Sequence, residues 1–140
     1  MDSKKVFLDT NILLDFLNQE RPNHKQAYRL LYFLEMHEYK IVISEDMITN
    51  IFYIEKSKKS VLNFINDALL NGWIISPFGS DVIKKAIELS LQQNIDLEDL
   101  LQCLCAKENG CGVLITNDKK FYNCGVPIFT PVEFLEENGA

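Results

Sequence analysis

Three aspartates occupy positions at which an α/β protein commonly places its chemistry. Asp9 directly follows the apolar run "VFL", and Asp118 follows the run "VLITN". Asp99 lies in the first turn of a predicted helix that begins "DLEDLL". In an open parallel sheet, ligands bind beyond the carboxyl ends of the strands, and the helix N-termini face the same edge. We therefore expect Asp9, Asp99 and Asp118 to meet at one edge of a sheet.

Carboxylates that meet in this way repel one another by several kcal/mol, so they are stable together only when protonated or bridged by a cation. Hard oxygen ligands favour Mg²⁺ or Mn²⁺. A metal ion held by carboxylates characteristically performs phosphoryl chemistry, because it activates water and stabilises charge on the phosphodiester oxygens. The pattern predicts that Asp9, Asp99 and Asp118 are both metal ligands and catalytic residues.

Each of these acids also has an ordinary structural interpretation. Asp99 is an acid in the first turn of a helix, where it stabilises the helix dipole. Asp118 is suited to cap the short turn "DKKFY". Asp9 is suited to cap the helix that follows it, although Thr10 or Asn11 would serve equally well. The convergence of all three acids is what favours a catalytic site.

Strands and helices alternate along the chain, which positions these acids. Helical spacing of apolar residues and helix start signals alternate with short β-branched runs. The predicted strands cover residues 5–9, 40–44, 73–76, 112–118 and 127–129. Ser44, Ser80 and Asp96 are predicted N-caps, and Pro131 is predicted to begin the last helix. Parallel crossovers follow from this order, so we predict a three-layer α/β/α sandwich with a central parallel sheet of four to five strands.

Length and composition are those of a small globular protein. The 140 residues, of which 47% are hydrophobic, predict a single domain over residues 1–140. No apolar run reaches the roughly 18 residues that span a bilayer, and no signal peptide is recognisable before Val6, so we expect a cytoplasmic protein with no membrane partner. The net charge of -6 is unfavourable for binding a polyanion.

The four cysteines match no standard zinc or redox spacing, and we interpret most of them as thiols of the core. They are Cys103, Cys105, Cys111 and Cys124.

Four segments together resemble the PIN domain, in its bacterial VapC-like branch. They are "VFLDTNILLDFL", "ISEDMITNIFYIEK", "DLEDLLQCLCAKENGCGVLITNDKKF" and "VPIFTPVEFLEE". The resemblance extends over almost the whole chain, and the combination of D-T-N, D-L-E-D and a strand followed by T-N-D is quite specific. It implies a metal-dependent ribonuclease that acts on RNA, is often the toxin of a toxin–antitoxin pair, and forms a homodimer.

The resemblance also assigns residues by position. Asp9 matches the first acid of the family, Asp99 the third and Asp118 the fourth. Asn11 and Thr116 match polar residues that usually steady the cluster.

The second acid of the family, usually a glutamate, is missing here. Asn50 takes its position and offers a neutral carbonyl oxygen in place of a charge. Asp46 lies one helical turn earlier and is a candidate to substitute through a water, or else it is an ordinary first-turn acid. Asp15 either approaches the site from the first helix or is a solvated polar position.

Two surfaces are suggested by composition. A basic rim that tracks an RNA backbone would consist of Arg21, Lys56, Lys58, Lys59, Lys119 and Lys120. A dimer interface would contain Tyr32, Phe33, Phe52 and Tyr53, which alternatively fill the core.

Two other functions are open on the sequence. A haloacid-dehalogenase-like phosphatase also places an aspartate after its first strand, but it needs a second acid where this chain has Asn11. A PIN-like module that binds RNA or protein without catalysis is kept open by Asn50. The three acids argue against it, because an idle site has little reason to keep repelling carboxylates together.

Overall fold

A five-stranded sheet forms the middle layer of the protein in the computed structural model, which describes residues 1–140. Every pair of neighbouring strands is parallel, and the strand order is β3-β2-β1-β4-β5. The strands are β1 (Asp2–Leu8), β2 (Lys40–Ser44), β3 (Ile74–Ser76), β4 (Cys111–Ile115) and β5 (Ile128–Phe129).

Seven helices cover this sheet. They are α1 (Thr10–Leu17), α2 (His24–Met36), α3 (Asp46–Ile54), α4 (Lys58–Leu70), α5 (Ser80–Gln93), α6 (Leu97–Glu108) and α7 (Pro131–Glu137). They form two packed groups: α1 contacts α2 and α3, α2 contacts α7 and α3 contacts α4, while α5 packs on α6. None of the seven combines the length and the apolar character needed to cross a lipid bilayer.

The central strand β1 is buried on both faces. Val6, Phe7 and Leu8 are all 0% exposed. Since successive residues of a strand point to opposite faces, three consecutive buried side chains require cover on both sides of the sheet. β1 also pairs with β2 on one side and with β4 on the other. Its carboxyl end, and Asp9 after it, therefore lies in the middle of the sheet edge.

The predicted three-layer sandwich with a parallel sheet is confirmed, and the differences concern where elements begin and end. The first strand starts at Asp2, and the fourth ends at Ile115, before the polar residues that follow it. Asp96 is the N-cap of α6, as predicted. The predicted caps at Ser44 and Ser80 are wrong, because Glu45 and Gly79 hold those positions.

Ser44 fails as a cap for a physical reason. It still belongs to β2, where it pairs with Ser76 of β3. Its hydroxyl donates a hydrogen bond to the carboxylate of Asp46. The contact of Ser44 with α3 is therefore made to a side chain of that helix.

Two of the four cysteines are the free core thiols that we expected. Cys105 and Cys111 are free and buried, and burial raises the pKa of both, that of Cys111 to about 12. Cys103 and Cys124 instead form a disulfide, with their Cα atoms 6.0 Å apart. The loop after β4 returns to α6 and brings these two residues together, which their spacing in the sequence does not indicate.

Candidate active site

Asp9 is buried at the end of β1, with 6% of its surface exposed. It takes the N-cap position of α1, yet its side chain makes no capping hydrogen bond. Its Oδ2 instead accepts a hydrogen bond from the Thr116 hydroxyl at 2.8 Å. The capping interpretation therefore does not account for this carboxylate, which faces the residues that follow β4.

Thr116 connects the ends of the two central strands. Only 1% of its surface is exposed, and its Oγ1 accepts a hydrogen bond from the backbone N–H of Asp118 at 3.0 Å while donating to Asp9. The Asp118 side chain is exposed, and its Oδ1 accepts from the N–H of Lys120 at 2.9 Å. Asp118 thus caps the turn, as its structural interpretation proposed, while its charge also acts on Asp9.

Asp99 reaches the same edge from the first turn of α6. Its backbone N–H donates to the capping carboxylate of Asp96 at 3.0 Å. Burial first, and then the charges of Asp96, Asp118 and Asp9, raise the pKa of Asp99 to about 6, against a smaller lowering by a backbone hydrogen bond from Tyr122. Asp99 is therefore coupled electrostatically to both of the other predicted acids.

The pKa of Asp9 is raised as well. Burial is the largest cause, and the charge of Asp118 adds to it. Hydrogen bonds from Thr116, from the backbone of Thr10 and from Gln102 favour the charged form and offset part of the rise. No positive charge is among the causes that act on the pKa of Asp9 or Asp99.

Glu98 and Gln102 belong to this edge and were missed in the sequence. The Gln102 amide, 1% exposed, donates to the Thr10 hydroxyl and to the Glu98 carboxylate, each at 3.2 Å. Desolvation, followed by the charges of Asp9, Asp46 and Asp96, raises the pKa of Glu98. A single glutamine inside the apolar helix run "LLQCLCA" was the available signal, because a buried polar side chain needs partners.

Gln102 also has an unpaired atom. Its Oε1 is buried and has no hydrogen-bond partner, the only such side-chain atom in the protein. A buried acceptor without a donor costs about 1–3 kcal/mol. The carboxylate edge thus borders on a polar atom with unused capacity to accept a hydrogen bond.

Asn50 and Asp46 lie together on α3. The Asn50 amide is 3.5 Å from Oδ2 of Asp46, and the Ser44 hydroxyl donates to Oδ1. The negative charge of Asp46 contributes to the raised pKa of Glu98. Asp46 is therefore near enough for its charge to act on Glu98, and the Asn50 amide contacts Asp46.

Asn11 and Asp15 line α1 near the acids. Asn11 is exposed, and its Oδ1 lies 3.5 Å from Nη2 of Arg21. Asp15 is 4% exposed and pairs with Arg21. Of the predicted basic rim, Lys58 is used elsewhere, because its ammonium donates to the carbonyls of Phe52 and Glu55 at the end of α3.

The donor set is suited to a divalent cation, although its side chains are not gathered around one point. No group of three or more His, Cys, Asp or Glu side chains is arranged closely enough to hold a metal ion. The available donors are carboxylate, amide and hydroxyl oxygens, which Mg²⁺ and Mn²⁺ prefer. A cation would also offset the burial and the repulsion that raise the pKa values of Asp9 and Asp99. The assignment of metal ligands stays a prediction.

The fold and this edge together define a three-layer α/β protein with a cluster of acids beyond the central strands of its parallel sheet. The PIN domain family matches residues 6–126. Ribonuclease VapC1 of Aquifex aeolicus (strain VF5) is 37% identical over an alignment of 140 positions that covers 97% of this chain and 96% of that protein. The chain belongs to the PIN domain family.

Solved structures share the fold at lower identity. The sarcin-ricin loop cleaving toxin VapC20 of Mycobacterium tuberculosis matches with a TM-score of 0.68 at 14% identity, over 83% of this chain and 92% of that chain. A toxin–antitoxin complex from Klebsiella pneumoniae matches with a TM-score of 0.65 at 22% identity, over 90% of this chain and 97% of that one.

The raised pKa of Asp99 predicts how stability depends on pH in the metal-free protein. An acid whose pKa rises from 3.8 in the unfolded chain to about 6 in the folded protein binds more protons when folded, so its contribution to stability falls as the pH rises through this window. Asp99→Asn removes this contribution. The free energy of unfolding of Asp99→Asn minus that of wild type is therefore expected to increase with pH over the window.

Denaturant titrations with a chelator, at several pH values between about 4 and 7, measure this difference. Asp67→Asn, on the exposed side of α4, is the matched control. A difference for Asp99→Asn that stays constant or shrinks with rising pH would contradict the electrostatic description of this edge.

Proposed function

We propose that the protein is a metal-dependent endoribonuclease, formed by a single domain of residues 1–140, that hydrolyses RNA phosphodiester bonds. The burial of Asp9 beside other acids at the end of the central strand carries this proposal. A carboxylate held there at 6% exposure, with a raised pKa, is costly to the fold. That cost is explained when the carboxylate serves a cation.

Mg²⁺ or Mn²⁺ is the proposed cofactor, with Asp9, Asp99 and Asp118 as its ligands and catalytic residues. The bound ion supplies an activated water and stabilises negative charge on the phosphodiester oxygens. Thr116 orients Asp9 through its hydroxyl and fixes the backbone of Asp118. Asn11 supports the same edge from the first turn of α1.

The place of the missing second acid is filled by a pair. Asn50 contributes a neutral amide, and Asp46 beside it contributes the charge from one helical turn earlier. One oxygen of Asp46 accepts from the Ser44 hydroxyl, and the carboxylate would contribute its charge to the cation through a water. Charge at this side of the site is therefore more distant than a glutamate at position 50 would place it.

A toxin role with an antitoxin protein as partner is part of the proposal. It is supported by the ribonuclease name of the Aquifex aeolicus relative and by the toxin and toxin–antitoxin titles of the structural neighbours. Such a pair would act on RNA in the cytoplasm.

Asp9→Asn is expected to abolish metal-dependent RNA cleavage while the fold remains. The amide keeps the volume of the carboxylate but removes its charge, and it also lowers the repulsion among the remaining acids. Asn50→Glu restores a carboxylate on α3 and is expected to tighten metal binding and to raise cleavage. The assay uses labelled RNA with Mg²⁺ or Mn²⁺.

A chelator and the Asp67→Asn variant are the controls for this assay. If wild type and Asn50→Glu are both inert across several RNAs, the nuclease proposal is wrong and a module that binds RNA or protein replaces it. If Asp9→Asn cleaves as well as wild type, the activity arises elsewhere or from a contaminant.

A homodimer is the proposed assembly, and the aromatic residues of α2 and α3 support it. Tyr32 is 61% exposed and Tyr53 is 76% exposed, while Phe33 and Phe52 are half-buried and pack on the core. Large exposed aromatic side chains are enriched at interfaces. Light scattering at micromolar concentration is expected to give twice the mass of 16.2 kDa, and a monomer would contradict the proposal.

A further inference from the structure

We propose that Arg21 contacts a phosphate of the RNA strand beside the acidic edge, and that the buried carboxylate of Asp15 holds its guanidinium ready for this contact. The inference rests on the proposed function, because it names a residue that binds the same substrate.

Asp15 is an anchor for Arg21. The Arg21 Nε donates to Oδ1 of Asp15 at 2.7 Å, and this is the one ion pair of the protein. Asp15 lies on α1 and is 4% exposed. The Asn117 amide approaches its other oxygen at 3.5 Å. Because both carboxylate oxygens have neighbours and solvent is nearly excluded, the guanidinium has little freedom to leave.

The anchored guanidinium of Arg21 lies beside the candidate active site. Asn117 immediately precedes Asp118, and the Nη2 of Arg21 lies 3.5 Å from Oδ1 of Asn11, two residues after Asp9. The ion pair therefore touches both of the segments that leave the central strands β1 and β4. A strand of RNA whose scissile phosphate lies at the acids would place a neighbouring phosphate within reach of this cation.

The guanidinium has donors left for a ligand. Of its five N–H groups, Nε serves Asp15 and one group on Nη2 faces Asn11. The remaining N–H groups make no hydrogen bond, and the Arg21 side chain is 32% exposed. Three N–H donors are therefore free, and two of them suffice to bind a phosphate in a bidentate geometry.

Other basic residues are less well prepared for this role. The Lys58 ammonium is occupied by two carbonyl groups. Lys119 and Lys120 are exposed, and no hydrogen bond or ion pair fixes their ammonium groups. In a chain of net charge -6, a fixed cation at the acidic edge has particular value for attracting a polyanion.

A purely structural role is the competing explanation. The ion pair also fastens the segment between α1 and α2, and it would do so without any ligand. The two roles differ in salt dependence, because a phosphate contact releases counterions whereas an internal ion pair does not involve the RNA.

The experiment compares Arg21→Gln with Arg29→Gln, which form a matched pair. Arg21 and Arg29 are the only arginines of the chain, and Arg29 is exposed on α2. Both variants are made in the Asp9→Asn background, so that the RNA remains intact. Fluorescence anisotropy then follows binding of a labelled single-stranded RNA of mixed sequence, with Mg²⁺, over a series of salt concentrations.

Arg21→Gln is expected to weaken RNA binding about tenfold at low salt, through loss of charged hydrogen bonds. It is also expected to reduce the slope of log K against log salt by about 0.7, the value for one contact with a single strand. Arg29→Gln is expected to change neither quantity. Because Arg21→Gln leaves Asp15 buried without a cation, the variant that combines Asp15→Asn with Arg21→Gln is measured too, and thermal denaturation confirms that each variant folds.

Equal affinities and slopes for Arg21→Gln and Arg29→Gln would overturn the proposal, as would an absence of RNA binding by the Asp9→Asn protein. The proposed nuclease function fails separately, when wild type and Asn50→Glu both cleave none of several RNAs with Mg²⁺ or Mn²⁺. If the protein cleaves RNA but the two arginine variants bind RNA equally well, the nuclease proposal stands and only the role proposed for Arg21 is wrong.

Discussion

Desolvated carboxylates that repel one another at the carboxyl edge of the sheet are the constraint around which this protein is built. Asp9 is almost without solvent, and the charges of neighbouring acids add to the burial that raises the pKa values of Asp9, Asp99 and Glu98. Burial of an unpaired charge is among the most expensive features a fold can carry. Neighbouring groups of the fold stabilise and orient these carboxylates.

The parallel sheet places the first of these stabilising groups. β1 and β4 are neighbours in the middle of the sheet, so the residues that follow them leave at adjacent points. Thr116 uses this proximity to donate to Asp9 and to accept from the backbone of Asp118. Gln102 on α6 ties Glu98 to Thr10 from the other side. Neutral hydrogen bonds thus orient the acids but do not cancel their charge, which leaves that task to a cation.

The sequence predicted the architecture well, because its signals are local. Apolar β-branched runs and helix caps recur at short intervals, and the alternation alone implies parallel crossovers. It also singled out Asp9 as a candidate, because Thr10 or Asn11 would cap the following helix equally well.

Features that depend on tertiary contacts were harder to predict. Gln102 lies ninety-two positions from Thr10, its hydrogen-bond partner, and the pairing of Cys103 with Cys124 depends on how one loop returns to α6. The sequence left two interpretations open for Asp15. Its partner Arg21 lies between two helices, where no helical or strand spacing predicts which residues come into contact. The Ser44 cap was mispredicted because a good capping residue was already used as the last residue of a strand.

Proton release on metal binding tests the central claim most directly. At pH 6 Asp99, with a pKa of about 6, carries about half a proton in the metal-free protein, and a bound cation should expel it. Titration calorimetry of Mn²⁺ in two buffers of different ionisation enthalpy counts the protons released. We expect release of at least about half a proton per ion at pH 6 and almost none at pH 8. Absence of Mn²⁺ binding, or binding at pH 6 without proton release, would contradict the claim that these acids form a cation site.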